Sequence, residues 1–284
     1  MSGGVLATVL ILVSAVIHAI VNAMVKVSED GLLTRGCMNA VALLAALPWL
    51  PFVPPPQPSL MPVLAVAVLV HGLYPFFLVT AYRHSDLSVA FPIARGITPL
   101  GVALLSWLAL GTTISLPKLA WIAVLSLGVA AFAFDKLSRE GTHKRRGILM
   151  AICTGAIIAT YTVIDGIGLR STANAFTYIV WLLVLDGLFV STTVAAVRRT
   201  AVTQFLRRYW RQALLGGLLG VLSYALALYA LSLGSVAEIA ALRETSVAFA
   251  AVIGALFLRE RFGPTRIAAT ALVTSGVMGL KLGT

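Results

Sequence analysis

Charge is scarce in this chain of 284 residues: only 11% are Asp, Glu, Lys or Arg, and ten in all are acidic, against 60% apolar. So few polar groups cannot clothe a water-facing surface of this size, which excludes an ordinary soluble domain. Cysteine is almost absent. Cys37 and Cys153 both sit in apolar stretches, so neither a disulfide framework nor a paired-cysteine metal site is encoded. Catalytic signatures are missing too. There is no GxxxxGK[ST] loop for ATP, no HExxH, no GxSxG and no CxxC. The sequence therefore gives no reason to expect an enzyme, a bound cofactor or a metal.

What the chain does have is apolar runs, with a mean hydropathy of +0.99. They fall at roughly 4–25, 32–53, 61–82, 87–110, 117–134, 147–168, 174–197, 212–233, 236–258 and 264–281. Each has the length of one bilayer crossing. Turn chemistry separates them, as at Ser28–Gly31, Pro54–Pro58 and Gly111–Thr113. The first run lacks a basic leader and is expected to be a retained span. The net charge of +11 comes from basic residues clustered between runs, such as Lys144–Arg146, Arg198–Arg199, Arg207, Arg208 and Arg211. That placement suits loops lying on an anionic membrane surface and argues against nucleic acid as a partner.

The longest polar connection, Asp135–Arg146, leaves five runs on either side, and the halves repeat. A shift of 148 residues places Arg95 on Arg243, Lys118 on Arg266 and Gly128 on Gly276. An odd number of spans per repeat forces the second half to enter from the opposite side. The expected fold is an all-α integral membrane protein of ten transmembrane helices, built from two inverted five-helix repeats (1–138 and 139–284) around a central cavity. Inverted repeats of this kind suit alternating access to a site between the halves.

Three stretches resemble a known family: Ser14–Lys26 on the first run, Ala81–Pro92 between the third and fourth, and Leu256–Arg261 continuing through Gly276 to Gly279. Through them the chain resembles the drug/metabolite transporter superfamily, specifically its ten-helix members with two EamA-type repeats. Within it the likeness is strongest to bacterial exporters of amino acids. The resemblance implies a non-ATP-driven exporter of amino acids, aromatic and neutral ones among them, in a bacterial inner membrane. The chain departs from the family where Thr112 stands in place of the repeat-related acid Glu260, and where no proline matches Pro92. Other readings are export of drugs or small metabolites, carriage of a phosphonate or nucleotide-sugar, or a membrane sensor or assembly subunit without transport.

Ionisable groups inside spans are costly, at about 2.5–3.5 kcal/mol or more each at a helix centre, and must face protein or water. Arg95 and Arg243 lie at matching depths in the fourth and ninth spans. Each is either an anchor for a solute carboxylate or half of an ion pair between helices. Glu238 and Glu244 cannot pair well with Arg243 on their own helix. Arg95 is the partner expected for one of them, while Glu238 stands close enough to the helix start to reach water. His18 and Asn22 share a face of the first helix with Ser14 and Lys26, at intervals of four. His71, Tyr74, Pro75 and Tyr82 line the third helix similarly, Tyr161 and Asp165 the sixth, and Tyr224 sits in the middle of the eighth. Asp165 and Asp186 are weaker candidates, at least one of them a structural partner. The expected solute-binding set is His18, Asn22, His71, Tyr74, Tyr82, Arg95, Tyr161, Tyr224, Glu238, Arg243 and Glu244, lining a cavity between helices 1, 3, 4, 6, 8 and 9. Gly216 and Gly220 have GxxxG spacing and are expected to pack against another helix.

Charge also predicts orientation. With Arg35 and Arg83 counted as loop residues, sixteen Lys and Arg flank one side of the spans, and only Lys118, Arg170 and Lys281 the other. The positive-inside rule then puts both termini outside.

Overall fold

A computed structural model describes residues 3–85, 87–133, 145–257 and 263–282. Those residues are helical almost throughout, as a chain in lipid must be to satisfy its own backbone polar groups. The helices are α1 (Gly3–Lys26), α2 (Gly31–Ala46, continued by a 3-10 turn over Leu47–Phe52), α3 (Met61–His84), α4 (Leu87–Leu110) and α5 (Leu116–Ala131), then α6 (Arg145–Arg170), α7 (Ala175–Arg198), α8 (Thr200–Leu233), α9 (Val236–Arg243), α10 (Thr245–Phe257) and α11 (Pro264–Leu282). Seven of these segments are individually long and apolar enough to cross a membrane. With α5, α11 and the α9–α10 pair as one interrupted span, the count is the expected ten. Side-chain caps set several starts: Asp30 accepts from the backbone N–H groups of Leu32 and Leu33, and Asn174 from that of Phe176.

Helix pairing follows the repeat. The extensive contact of α4 with α6 has its counterpart where α1 meets α9 and α10, and that of α3 with α6 where α1 meets α8. Two pairs, α2 with α7 and α5 with α11, are their own counterparts and lie on the pseudo-twofold axis. Glycines show this at atomic scale. A Cβ on Gly128 would come 2.8 Å from the Val273 nitrogen, and one on Gly276 would come 2.8 Å from the Leu125 nitrogen. Those two contacts are the same contact shifted by 148 residues. Gly187 likewise abuts the carbonyl of Asn39, its own repeat mate.

Several sequence expectations need correction. The eighth span starts at Thr200 instead of about 212, after a reversal at Arg199 (φ 28°), and it kinks at Tyr209. Arg207, Arg208 and Arg211 are therefore helical extensions of the span. Arg35 is a residue of α2 that faces the interior, so it leaves the charge tally. The ninth span is broken at Glu244. Of the GxxxG pair, Gly216 packs tightly on Met38, but a Cβ on Gly220 would meet nothing within 4 Å. Trp121 packs on Gly279. Asp86, the connection 134–144 with the expected repeat boundary at 138/139, and Arg259–Arg261 with Glu260 lie outside the described residues.

The main apolar core gathers at one end. It joins Ile11, Leu64, Val102, Val163, Leu182, Leu228 and Leu242 near the α2–α3, α4–α5, α6–α7 and α8–α9 connections. Along α5 and α11 it also reaches the opposite, basic end through Ala131, Phe132 and Ala269, where two smaller clusters pack around Leu33 and Phe205 and around Ala90 and Ala151. The space between these regions is the central cavity.

Candidate functional site

The cavity measures about 180 Å³, enough for a small organic solute and far more than one water needs. Its wall includes His18, Asn22, His71, Tyr74, Arg95, Tyr161, Tyr224 and Arg243, eight of the eleven residues expected from sequence. The other three lie elsewhere. Tyr82 packs beside the Ala81–Ala90–Ala94–Ala151 cluster, about two turns beyond Pro75, the last α3 residue on the wall. Glu238 binds Lys118 at 2.8 Å near the helix ends, where both side chains retain solvent access. Glu244 is buried against Arg95 and borders a separate void of about 10 Å³. Arg35 and Asn39 line the cavity unforeseen, and Asp186, a weaker candidate from the sequence, joins them, which brings in α2 and α7 as walls.

The three cavity arginines differ in how they are held. Arg95 donates from Nη1 to Glu244 Oε1 at 3.1 Å and makes a short contact through Nη2 with His18 Nε2. Both members of the ion pair are almost fully buried, with side chains 3% and 2% exposed. Arg35 donates to Asn22 Oδ1 at 3.2 Å and lies over the Tyr74 ring. Arg243 lies over the Tyr224 ring, 5.4 Å from its centroid, and among the described residues has no carboxylate within salt-bridge distance. Its buried Nε has no hydrogen-bond partner.

The repeat explains the difference between Arg95 and Arg243. Arg95 reaches Glu244, so its mate Arg243 should reach residue 96. That residue is Gly96, so the first half offers no acid at that position. One guanidinium is consumed by the fold, and the other is left to the cavity.

Acids divide in the same way. Asp165 accepts from Tyr224 at 2.6 Å, from Tyr178 at 3.0 Å, and lies 3.3 Å from His71 Nε2. Asp186 lines the cavity, and its buried Oδ1 has no partner. An unpaired guanidinium and an under-satisfied carboxylate thus face one cavity, beside a wall of Tyr74, Tyr161 and Tyr224. A buried charge without a partner is costly, so such groups are poised for a ligand that supplies the opposite charge.

Residues 145–282 match the EamA-like transporter family. The second half of the chain is an EamA-like transporter domain. The domain is that of a membrane transporter of the drug/metabolite type, a carrier of small molecules lodged in a lipid bilayer. The fold of the whole chain also recurs in a solved crystal structure that is 14% identical, with a TM-score of 0.75 over 98% of this chain and 96% of that one. Among curated proteins none matches the sequence.

Proposed function

We propose that this protein is a secondary transporter of amino acids, moving the zwitterion by alternating access between two units, 1–138 and 139–284. The observation that supports the reading best is the pairing of unpartnered Arg243 with under-satisfied Asp186 on one cavity. A free α-amino acid brings a carboxylate for the first and an ammonium for the second, and the tyrosine wall suits apolar and aromatic side chains. Similarity to amino acid exporters points the same way and adds export as the direction. His18, Asn22, His71, Tyr74 and Tyr161 then shape the pocket, and Arg95 holds it together through Glu244.

Counterflow tests this directly. Proteoliposomes loaded with unlabelled L-phenylalanine or L-threonine are expected to take up the same labelled amino acid transiently, and empty vesicles to show none. Exchange of cationic drugs with no exchange of any amino acid would turn the reading toward a drug carrier. No exchange at all would remove transport.

Orientation completes the proposal. Without Arg35 the tally is still fifteen basic residues to three, which supports a basic end in the cytoplasm of a bacterial inner membrane with both termini outside. The cavity then lies on the cytoplasmic side of the main core, as an exporter awaiting cargo requires. An alkaline-phosphatase reporter fused after Thr284 is expected to be active, and one inserted in the 136–146 connection inactive. The reverse pattern would turn the protein over and open the cavity outward.

A further inference from the structure

The Asp165 cluster does more than brace helices. Asp165 is 1% exposed and sits between the cavity and the packed end of the bundle. Three donors converge on it from three different helices: His71 on α3, Tyr178 on α7 and Tyr224 on α8. His71 is the member that also faces the cavity. Its imidazole packs at a tilt against Tyr161 with centroids 4.1 Å apart, and its Nε2 lies 3.2 Å from the Tyr224 hydroxyl.

We propose that His71 is the proton-carrying group of the transporter, with Asp165 as its fixed counterion, so that solute and proton movements are coupled. The proposal rests on the carrier reading above. In the neutral state Nε2–H donates to Asp165. A proton arriving through the cavity binds the free lone pair on Nδ1, and the resulting imidazolium is balanced by Asp165 and faces the Tyr161 ring. The proton leaves by the same atom, and no other bond changes. Asp165 itself is occupied by donors on both oxygens, which leaves the imidazole as the place for the proton.

The groups facing this pair are Arg35 from α2, Tyr74 from α3, Arg95 from α4, Tyr161 from α6, Tyr178 and Asp186 from α7, Tyr224 from α8 and Arg243 from α9. Tyr224 belongs to both sites: its hydroxyl bonds Asp165 while its ring carries Arg243. A solute that settles on Arg243 or Asp186 therefore changes the charge felt at His71, and by linkage the proton changes the affinity for solute. His18, the other intramembrane histidine, faces the Arg95 guanidinium instead of a carboxylate.

The test uses proteoliposomes under an imposed pH gradient, with labelled L-phenylalanine as probe. The wild-type protein is expected to accumulate it under one polarity, toward a ratio of about tenfold per pH unit for one proton. His71→Gln is expected to abolish that accumulation. The steady-state ratio reports coupling, so slower exchange in the variant does not mimic the loss. Counterflow without accumulation in the wild type, or undiminished accumulation in His71→Gln, would overturn the proposal and leave the carrier reading standing. Absence of counterflow would instead sink the carrier reading. The proton site is then decided by nuclear magnetic resonance of ring-labelled histidine in the wild-type protein, assigned by single replacement of His18, His84 and His143. The His71 ring signals are expected to report a change of protonation state as the pH is scanned, and one fixed state throughout would overturn its role.

Discussion

Arg95→Ala is expected to leave little folded protein, while Arg95→Met combined with Glu244→Leu restores it. Both charges are almost wholly buried and 3.1 Å apart. Removing one strands the other in a low-dielectric interior, at about 3–5 kcal/mol. That is a large part of the roughly 5–15 kcal/mol by which folded chains exceed their unfolded states. Two apolar side chains of similar volume avoid the uncompensated charge and are often neutral or better. Glu244→Gln should fall between these extremes, since it keeps an acceptor for Nη1 but loses the opposite charge. The readout is the monodisperse fraction and thermal midpoint of the detergent-purified protein. An Arg95→Ala variant as stable as the parent would mean that the pair is a spectator, and would return Arg95 to the list of solute ligands.

The halves of the molecule were legible because lipid imposes a simple code. Each apolar run had to be one helix, and nine of the ten runs start within about two residues of the observed span. The exception, α8, begins twelve residues early because Arg207, Arg208 and Arg211 look like loop by hydropathy. A helix emerging from the bilayer continues through them with its arginines in the aqueous layer. The break at Glu244 had no composition signal either. No glycine or proline marks it, and it becomes intelligible only beside Arg95, which lies 149 residues away. The same limit governed the site. Periodicity could assign His18, Asn22, His71, Tyr161 and Tyr224 to inward faces, but it could not separate Tyr82 from Tyr74 on α3. Arg35 was missed because a cation four residues into an apolar run reads as loop, although Asn22 and Tyr74 hold it at the cavity. A signal separating the two repeat-related arginines was present: the 148-residue shift that pairs Arg95 with Arg243 also sets Glu244 against Gly96.

Arg243→Ala is expected to lower transport of amino acids by about 30-fold to several thousand-fold in kcat/KM, the equivalent of about 2–5 kcal/mol for losing one partner of a buried charged contact. Unlike Arg95, it should fold, because no carboxylate among the described residues is orphaned by its removal. The Tyr224 ring loses a stacked cation worth about 0.5–2 kcal/mol. Arg243→Lys keeps the charge but gives up the planar fork that grips a carboxylate at two points, so it should recover only part of the rate. The discriminating measurement compares L-phenylalanine with its methyl ester, which retains the ammonium and ring but lacks the carboxylate. Wild-type protein should prefer the acid, and Arg243→Ala should erase that preference with little change in ester transport. Asp186→Asn should do the opposite, weakening acid and ester alike because both present an ammonium. Equal losses for acid and ester in Arg243→Ala would place the guanidinium in the architecture of the cavity and leave the carboxylate to Arg35, the remaining cation on the wall.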